Sequence, residues 1–137
     1  MILFNRLIPE LNVADLEVSK NFYLHKLGFT TDFERLEDKF LQIAYQGSQI
    51  MLVQEEDWIT AELVYPRGRG INLQIETNDL TEIEQRIAKF NLSYFREPRE
   101  NWYRIEQHEE GVKELLIQDP DGYLLRFQQY LGIRSLK

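Results

Sequence analysis

The sequence contains no cysteine, and that absence removes disulfides, thiolate metal sites and cysteine nucleophiles together. Long apolar runs are also missing. No stretch approaches the roughly 20 residues that a membrane-spanning helix needs. The opening Met1–Arg6 lacks the charged, apolar and small-residue regions of a signal peptide, so a cytoplasmic protein is expected. Clustered positive charge is lacking as well: 16 Lys and Arg are scattered among 23 Asp and Glu, for a formal net charge of −7. That balance argues against nucleic acid as a partner, because neutralising phosphates takes grouped basic side chains. It is compatible with a cationic small molecule, and equally with plain solubility. Histidine is scarce too. His25 and His108 are the two present, and both read as solvated surface residues.

The 137 residues, 43% hydrophobic and 28% charged, suit one domain with a substantial core. Two segments carry helical periodicity. From Asp79, the apolar residues Leu80, Ile83, Ile87 and Phe90 step by three and four, and Asp79 with Glu82 forms a capping-box pattern. The earlier segment runs from Asp15 as N-cap through Leu16, Ser19, Phe22, Tyr23 and Leu27 to a stop at Gly28. Alternation predicts strands over 6–13, 30–37, 40–45, 49–54, 70–77, 94–97, 112–118 and 123–128. Asp119-Pro120-Asp121-Gly122 has the residues of a tight turn between the last two.

The element order is thus β, α, β, β, β, twice over. A faint residue echo accompanies it: Leu11-Asn12-Val13 before Asp15-Leu16, and Leu73-Gln74-Ile75 before Asp79-Leu80, with two extra residues at the second junction. Module one is expected over about 1–54, a linker over 55–69 and module two over about 70–130. A linker that long within a compact domain is more often functional or flexible than core.

Alternation also sorts the strand residues onto two faces. Leu7, Leu11, Val13, Leu41, Ile43, Ile50, Leu52, Ile71, Leu73, Ile75, Leu125 and Phe127 are expected under the helices. The opposite face collects Ile8, Glu10, Asn12, Phe40, Gln42, Gln49, Met51, Asn72, Gln74, Glu76, Arg126 and Gln128. A face left in water explains its polarity, but amides mixed with Met, Ile and Phe also suit a cleft that hydrogen-bonds an organic ligand.

Leu11-Asn12-Val13-Ala14-Asp15-Leu16-Glu17, running on to Phe22-Tyr23 and Leu27-Gly28-Phe29, resembles the opening signature of the vicinal-oxygen-chelate superfamily. That superfamily includes glyoxalase I, extradiol dioxygenases, fosfomycin-resistance enzymes and bleomycin-resistance proteins. Asp119-Pro120-Asp121-Gly122-Tyr123 is similar to its closing signature. The resemblance implies an α+β fold of two βαβββ modules, forming a curved mixed sheet around a cleft with helices on the outer face. Enzymes of the family place one metal ligand, His, Glu or Gln, on each of four strands. The matching positions here are Ile8, Met51, Gly70 and Arg126, and none supplies a suitable ligand. Register shifted by two would instead recruit Glu10, Asn12, Asn72 or Gln128.

With no metal or other cofactor expected, the resemblance points to the bleomycin-resistance branch, whose members sequester a drug. The expectation is therefore a small-molecule binding protein for a planar, cationic ligand, acting as a homodimer. Aromatic stacking is assigned to Phe40 with Trp102 or Tyr103, hydrogen bonds to Asn12, Gln42, Asn72 and Gln74, a ligand carboxylate or pairing with Glu10 or Glu76 to Arg126, and apolar contact on the same face to Met51. Trp58 and Tyr65 in the linker rank second, with core or dimer packing as their plain alternative. The competing expectation is a lyase, isomerase or other enzyme using Glu10 or Glu76 as a general base, or an unrecognised metal site. A regulatory role through the dimer surface is a third.

Overall fold

The computed structural model describes residues 1–136. Strand β1 (Glu10–Asn12) leads into helix α1 (Leu16–Lys20), which continues as a π-helical stretch over Asn21–Lys26. Strands β2 (Thr30–Arg35), β3 (Phe40–Tyr45) and β4 (Ser48–Val53) complete module one. Strand β5 (Asn72–Thr77), helix α2 (Thr81–Lys89) and strands β6 (Arg96–Ile105), β7 (His108–Gln118) and β8 (Leu124–Ser135) repeat the order. Each module forms its own four-stranded sheet, β1-β4-β3-β2 and β5-β8-β7-β6. In each, the first strand pairs parallel with the last and the remaining pairs are antiparallel. No helix among the described residues is long and apolar enough to cross a membrane.

The expected caps are partly realised. Asp15 accepts from the Glu17 and Val18 amides, as an N-cap should. Asp79 accepts from Thr81 N at 2.9 Å, which holds its carboxyl below the usual aspartate value. Glu82 does not return the bond that a capping box requires; it lies 4.0 Å from Arg86 one turn on. The Leu80 amide is instead taken by Gln129 Oε1 of β8, tying α2 to its sheet.

One apolar cluster unites the modules, since Phe29 and Tyr45 of module one both meet the Phe127 ring of module two edge-on. Leu80, Ile83 and Ile87 are buried as the periodicity predicts, while Phe90 at the helix end is only half-buried. Leu7 and Ile71, expected in the core, are 86% and 64% exposed. Both lie ahead of their strands: pairing begins only at Glu10 in the first, after Pro9, which cannot donate to a ladder, and at Asn72 in the fifth. The predicted strand over 94–97 begins later and runs on to Ile105, and β7 starts at His108. That histidine flanks the exposed Glu106–Gln107 turn of the β6–β7 hairpin, as expected, and is partly covered by Glu110 at 2.8 Å.

Candidate functional site

The face opposite the helices carries two separate half-sites. On module one, β1, β3, the end of β4 and the linker enclose an open cavity of about 400 Å³. Phe40, 5% exposed, forms part of its lining. Its ring is tilted against Phe33 at 5.6 Å and lies under the Arg35 guanidinium at 4.2 Å. Glu10 from β1 and Glu56 and Trp58 from the linker line the same cavity, and the Trp58 ring is 83% exposed. Five carboxylates border this space against two cations. Asp38 is paired with Arg35 and Glu55 with Lys39, which leaves Glu10, Glu37 and Glu56 without a cationic partner among the described residues. Partial burial, followed by the nearby Glu56 charge, raises the Glu10 carboxyl above its ordinary value.

The second half-site, about 260 Å³, lies on module two between Gln74, Glu76, Tyr103, Arg126 and Tyr130. Beneath it the buried Glu114 carboxylate accepts from the Tyr103 hydroxyl, from Asn101 Nδ2 at 2.9 Å and from Arg126 Nη1 at 3.3 Å. Arg126 Nε also donates to Asn72 Oδ1 at 3.0 Å. Bonding to Glu114 raises the Tyr103 hydroxyl, because the carboxylate favours the protonated phenol.

The predicted contact residues divide accordingly. Phe40 lines the first half-site, and Gln74, Tyr103 and Arg126 line the second, with Asn72 held against Arg126. Asn12 sits at the edge: its carbonyl accepts from Arg67 Nη1 and Tyr123 Oη, each at 2.9 Å, which occupies it structurally. Met51 is half-buried opposite Glu10. Gln42 is 1% exposed, with its amide donating to Asp32 at 3.0 Å, so it does not face the cavity.

Trp102 is a correction. Asn101 and Tyr103 reach Glu114 on the cleft side, so strand alternation turns Trp102 to the other face. There its ring covers Gly111 and stacks on Arg134 at 4.3 Å. Trp58, ranked second from the sequence, is the tryptophan of the cavity. Neither Asp32 nor Glu114 is singled out from the sequence; Glu114 is the one acidic residue of the strand predicted over 112–118, which is a signal, whereas Asp32 shares its predicted strand with Glu34 and Glu37 and carries none.

The metal positions also need correction in register. Glu10 pairs with Met51 and Gln74 with Arg126, and Glu10 and Gln74 stand equally far before Asp15 and Asp79. Leu11 therefore corresponds to Ile75, no residues are inserted in the second junction, and the counterpart of Ile8 is Asn72. Gly70 lies in the turn before β5. The resulting set, Ile8, Met51, Asn72 and Arg126, does not fit a divalent metal: it offers one neutral oxygen, already bonded to a fixed cation. No group of three or more His, Asp or Glu side chains disposed to hold a metal occurs among the described residues.

Comparison with known proteins agrees with this architecture. A virulence protein from Salmonella typhimurium is 22% identical, with 96% of this chain and 100% of that chain covered and a TM-score of 0.67. TioX from Micromonospora sp. ML1 is 14% identical over 93% of this chain and 100% of its own, with a TM-score of 0.70. A glyoxalase/bleomycin resistance protein/dioxygenase from Alicyclobacillus acidocaldarius is 16% identical over 93% and 92%, with a TM-score of 0.66. At such identities the likeness is one of fold. Comparison with curated proteins gives no match. Residues 4–127 match the model of the Glyoxalase/Bleomycin resistance protein/Dioxygenase superfamily, nearly the whole of a chain that also has its paired βαβββ modules, and the protein belongs to that superfamily.

Proposed function

We propose that this protein binds and sequesters a planar, cationic small molecule in the cytoplasm, in the manner of the bleomycin-resistance branch. The observation that carries the reading is the first half-site, where two aromatic rings, Phe40 and Trp58, border a space edged by the unpaired carboxylates Glu10 and Glu56. A planar ring stacks on the exposed Trp58 face, with the buried Phe40 ring in the cavity wall, and its positive charge offsets the repulsion between the two carboxylates. Each half-site lies on one sheet, so we further propose that a homodimer sets the first half-site of one chain opposite the second of its partner. Isothermal calorimetry with a bleomycin-type glycopeptide tests the reading. Saturable binding that weakens with salt supports it, and the absence of binding to the folded protein rejects it.

The raised Glu10 carboxyl favours a second reading, a carboxylate-base enzyme. Turnover of a small carbonyl compound that is lost in Glu10→Gln and kept in Trp58→Ala would select it over sequestration.

A further inference from the structure

The amide-rich patch of module one that the sequence marks for a ligand is already covered, and what covers it is the beginning of the chain. Gln49 is 7% exposed, yet it lies on the face turned away from the helices. Its Oε1 accepts from the Asn5 backbone amide at 2.7 Å, and its Nε2 donates to the Leu3 carbonyl at 2.9 Å. A carbonyl and the amide two residues on, taken by one peptide-like group, is the pattern that a residue of a parallel strand offers its neighbour. The Gln49 side chain therefore acts as one surrogate residue of a ladder. The second Nε2 hydrogen goes to Asp32 Oδ2 at 3.0 Å, which also accepts from Gln42 and so holds the Gln49 amide in place. The Phe4 ring meets Phe33 edge-on at 6.0 Å.

We propose that this face of module one is a reader of extended peptide backbone, and that residues 3–5 occupy it in cis. The ligand class is a peptide or peptide-like chain with an aromatic side chain where Phe4 stands. Backbone groups carry the recognition at Gln49, and Phe33 selects the ring. The occupant is lightly held. Residues 1–8 form no strand ladder, Leu3 and Phe4 remain 82% and 58% exposed, and beyond the Gln49 bonds and the Phe4–Phe33 contact the segment's one further side-chain bond is Asn5 Nδ2 donating to the Gly47 carbonyl at 2.9 Å. The groove adjoins the Glu10–Phe40–Trp58 cavity without sharing those residues, and the inference stands whether or not that cavity takes a cation.

The test uses the full-length chain carrying Asn5→Pro, which removes both the amide hydrogen that Gln49 accepts and the side-chain donor to the Gly47 carbonyl, while leaving the sheet strands unchanged. The probe is a fluorescently labelled synthetic peptide with the sequence of residues 1–7, followed by anisotropy up to millimolar concentration. The variant should bind it saturably, and the unmodified chain, whose groove is filled, at least about tenfold more weakly. A peptide with proline in place of its asparagine should not bind, and adding Gln49→Leu to the variant should abolish binding. Trp58→Ala should leave peptide affinity unchanged, which separates this groove from the cation site. Equal binding by both chains, survival of binding in Gln49→Leu, or no binding by a variant that circular dichroism shows to be folded would each overturn the proposal.

Discussion

Tyr23 of module one donates a 2.7 Å hydrogen bond to Asp119 of module two, across 96 residues of chain and inside the shared core. Asp119 Oδ1 accepts from the Asp121 and Tyr123 amides, so the same carboxylate also shapes the β7–β8 turn. Burial outweighs these donors and pushes the carboxyl up to about 6, well above the ordinary 3.8. A folded value above the unfolded one means that the folded state holds the proton more tightly. Stability from this group is full at low pH and is lost as pH rises through about 6. Urea unfolding should therefore show a gain on the order of 1–1.5 kcal/mol between pH 7.5 and pH 5 from this residue, set by about 1.4 kcal/mol per pKa unit over the single unit between pH 6 and pH 5. Asp119→Asn should flatten that part of the pH profile. An unchanged profile in the variant would show that Asp119 titrates normally.

Gly122, in the same turn, has φ +94°, and a Cβ there would stand 2.6 Å from Cα of Pro66 in the linker. Left-handed backbone and a clash with main chain act together, so Gly122→Ala should cost about 2–4 kcal/mol. The measurement is again urea unfolding. A loss under about 1 kcal/mol would mean that the linker yields easily and does not brace the turn.

The two tryptophans should part company. If the sequestered ligand stacks on Trp58, Trp58→Ala should weaken binding by about five- to two-hundredfold, the equivalent of about 1–3 kcal/mol. Trp102→Ala should leave affinity within about twofold and lower stability instead, because its ring covers Gly111 and packs against Arg134. Titration by calorimetry alongside a thermal melt of each variant distinguishes them. The reverse pattern would move the ligand to the arm formed by β6–β8.

The element order, the turn at 119–122 and most of the core face were legible in the sequence because alternation and helical period are strong where one side is buried, as at Leu41, Ile43, Leu125 and Phe127. No strand is predicted over 98–111, where charged and polar residues predominate, so parity is not available there. In Pro98–Ile105 no apolar alternation distinguishes Trp102 from Tyr103, and only the Glu114 bonds reveal which side each takes. Around Leu7 the alternation is real, but Pro9 ends the ladder and the chain crosses to the other face. The Gln42 and Gln49 amides were recognised as ligand-like, but what satisfies them is Asp32 and the first residues of the same chain. Such long-range pairing leaves no periodic trace.

The homodimer is the last expectation, and the sheet edges carry its argument. Each sheet has two edges. The outer ones, β2 and β6, are lined with charge at Glu34, Arg35, Arg96, Arg99 and Arg104, which deters strand addition. The other edges, β1 and β5, are flanked by exposed Leu7 and Ile71, and within the chain these two strands do not pair with each other. A two-fold axis that sets β1 of one copy beside β5 of the next would cover both residues twice and bring unlike half-sites face to face. Sedimentation velocity at micromolar concentration should then give the dimer mass. Ile71→Lys, by placing a charge in that contact, should shift the chain to monomer and weaken binding of the glycopeptide at least about tenfold, while circular dichroism stays native. A monomer mass for the unmodified protein, or a variant that binds with full affinity as a monomer, would mean that each chain completes its cleft alone.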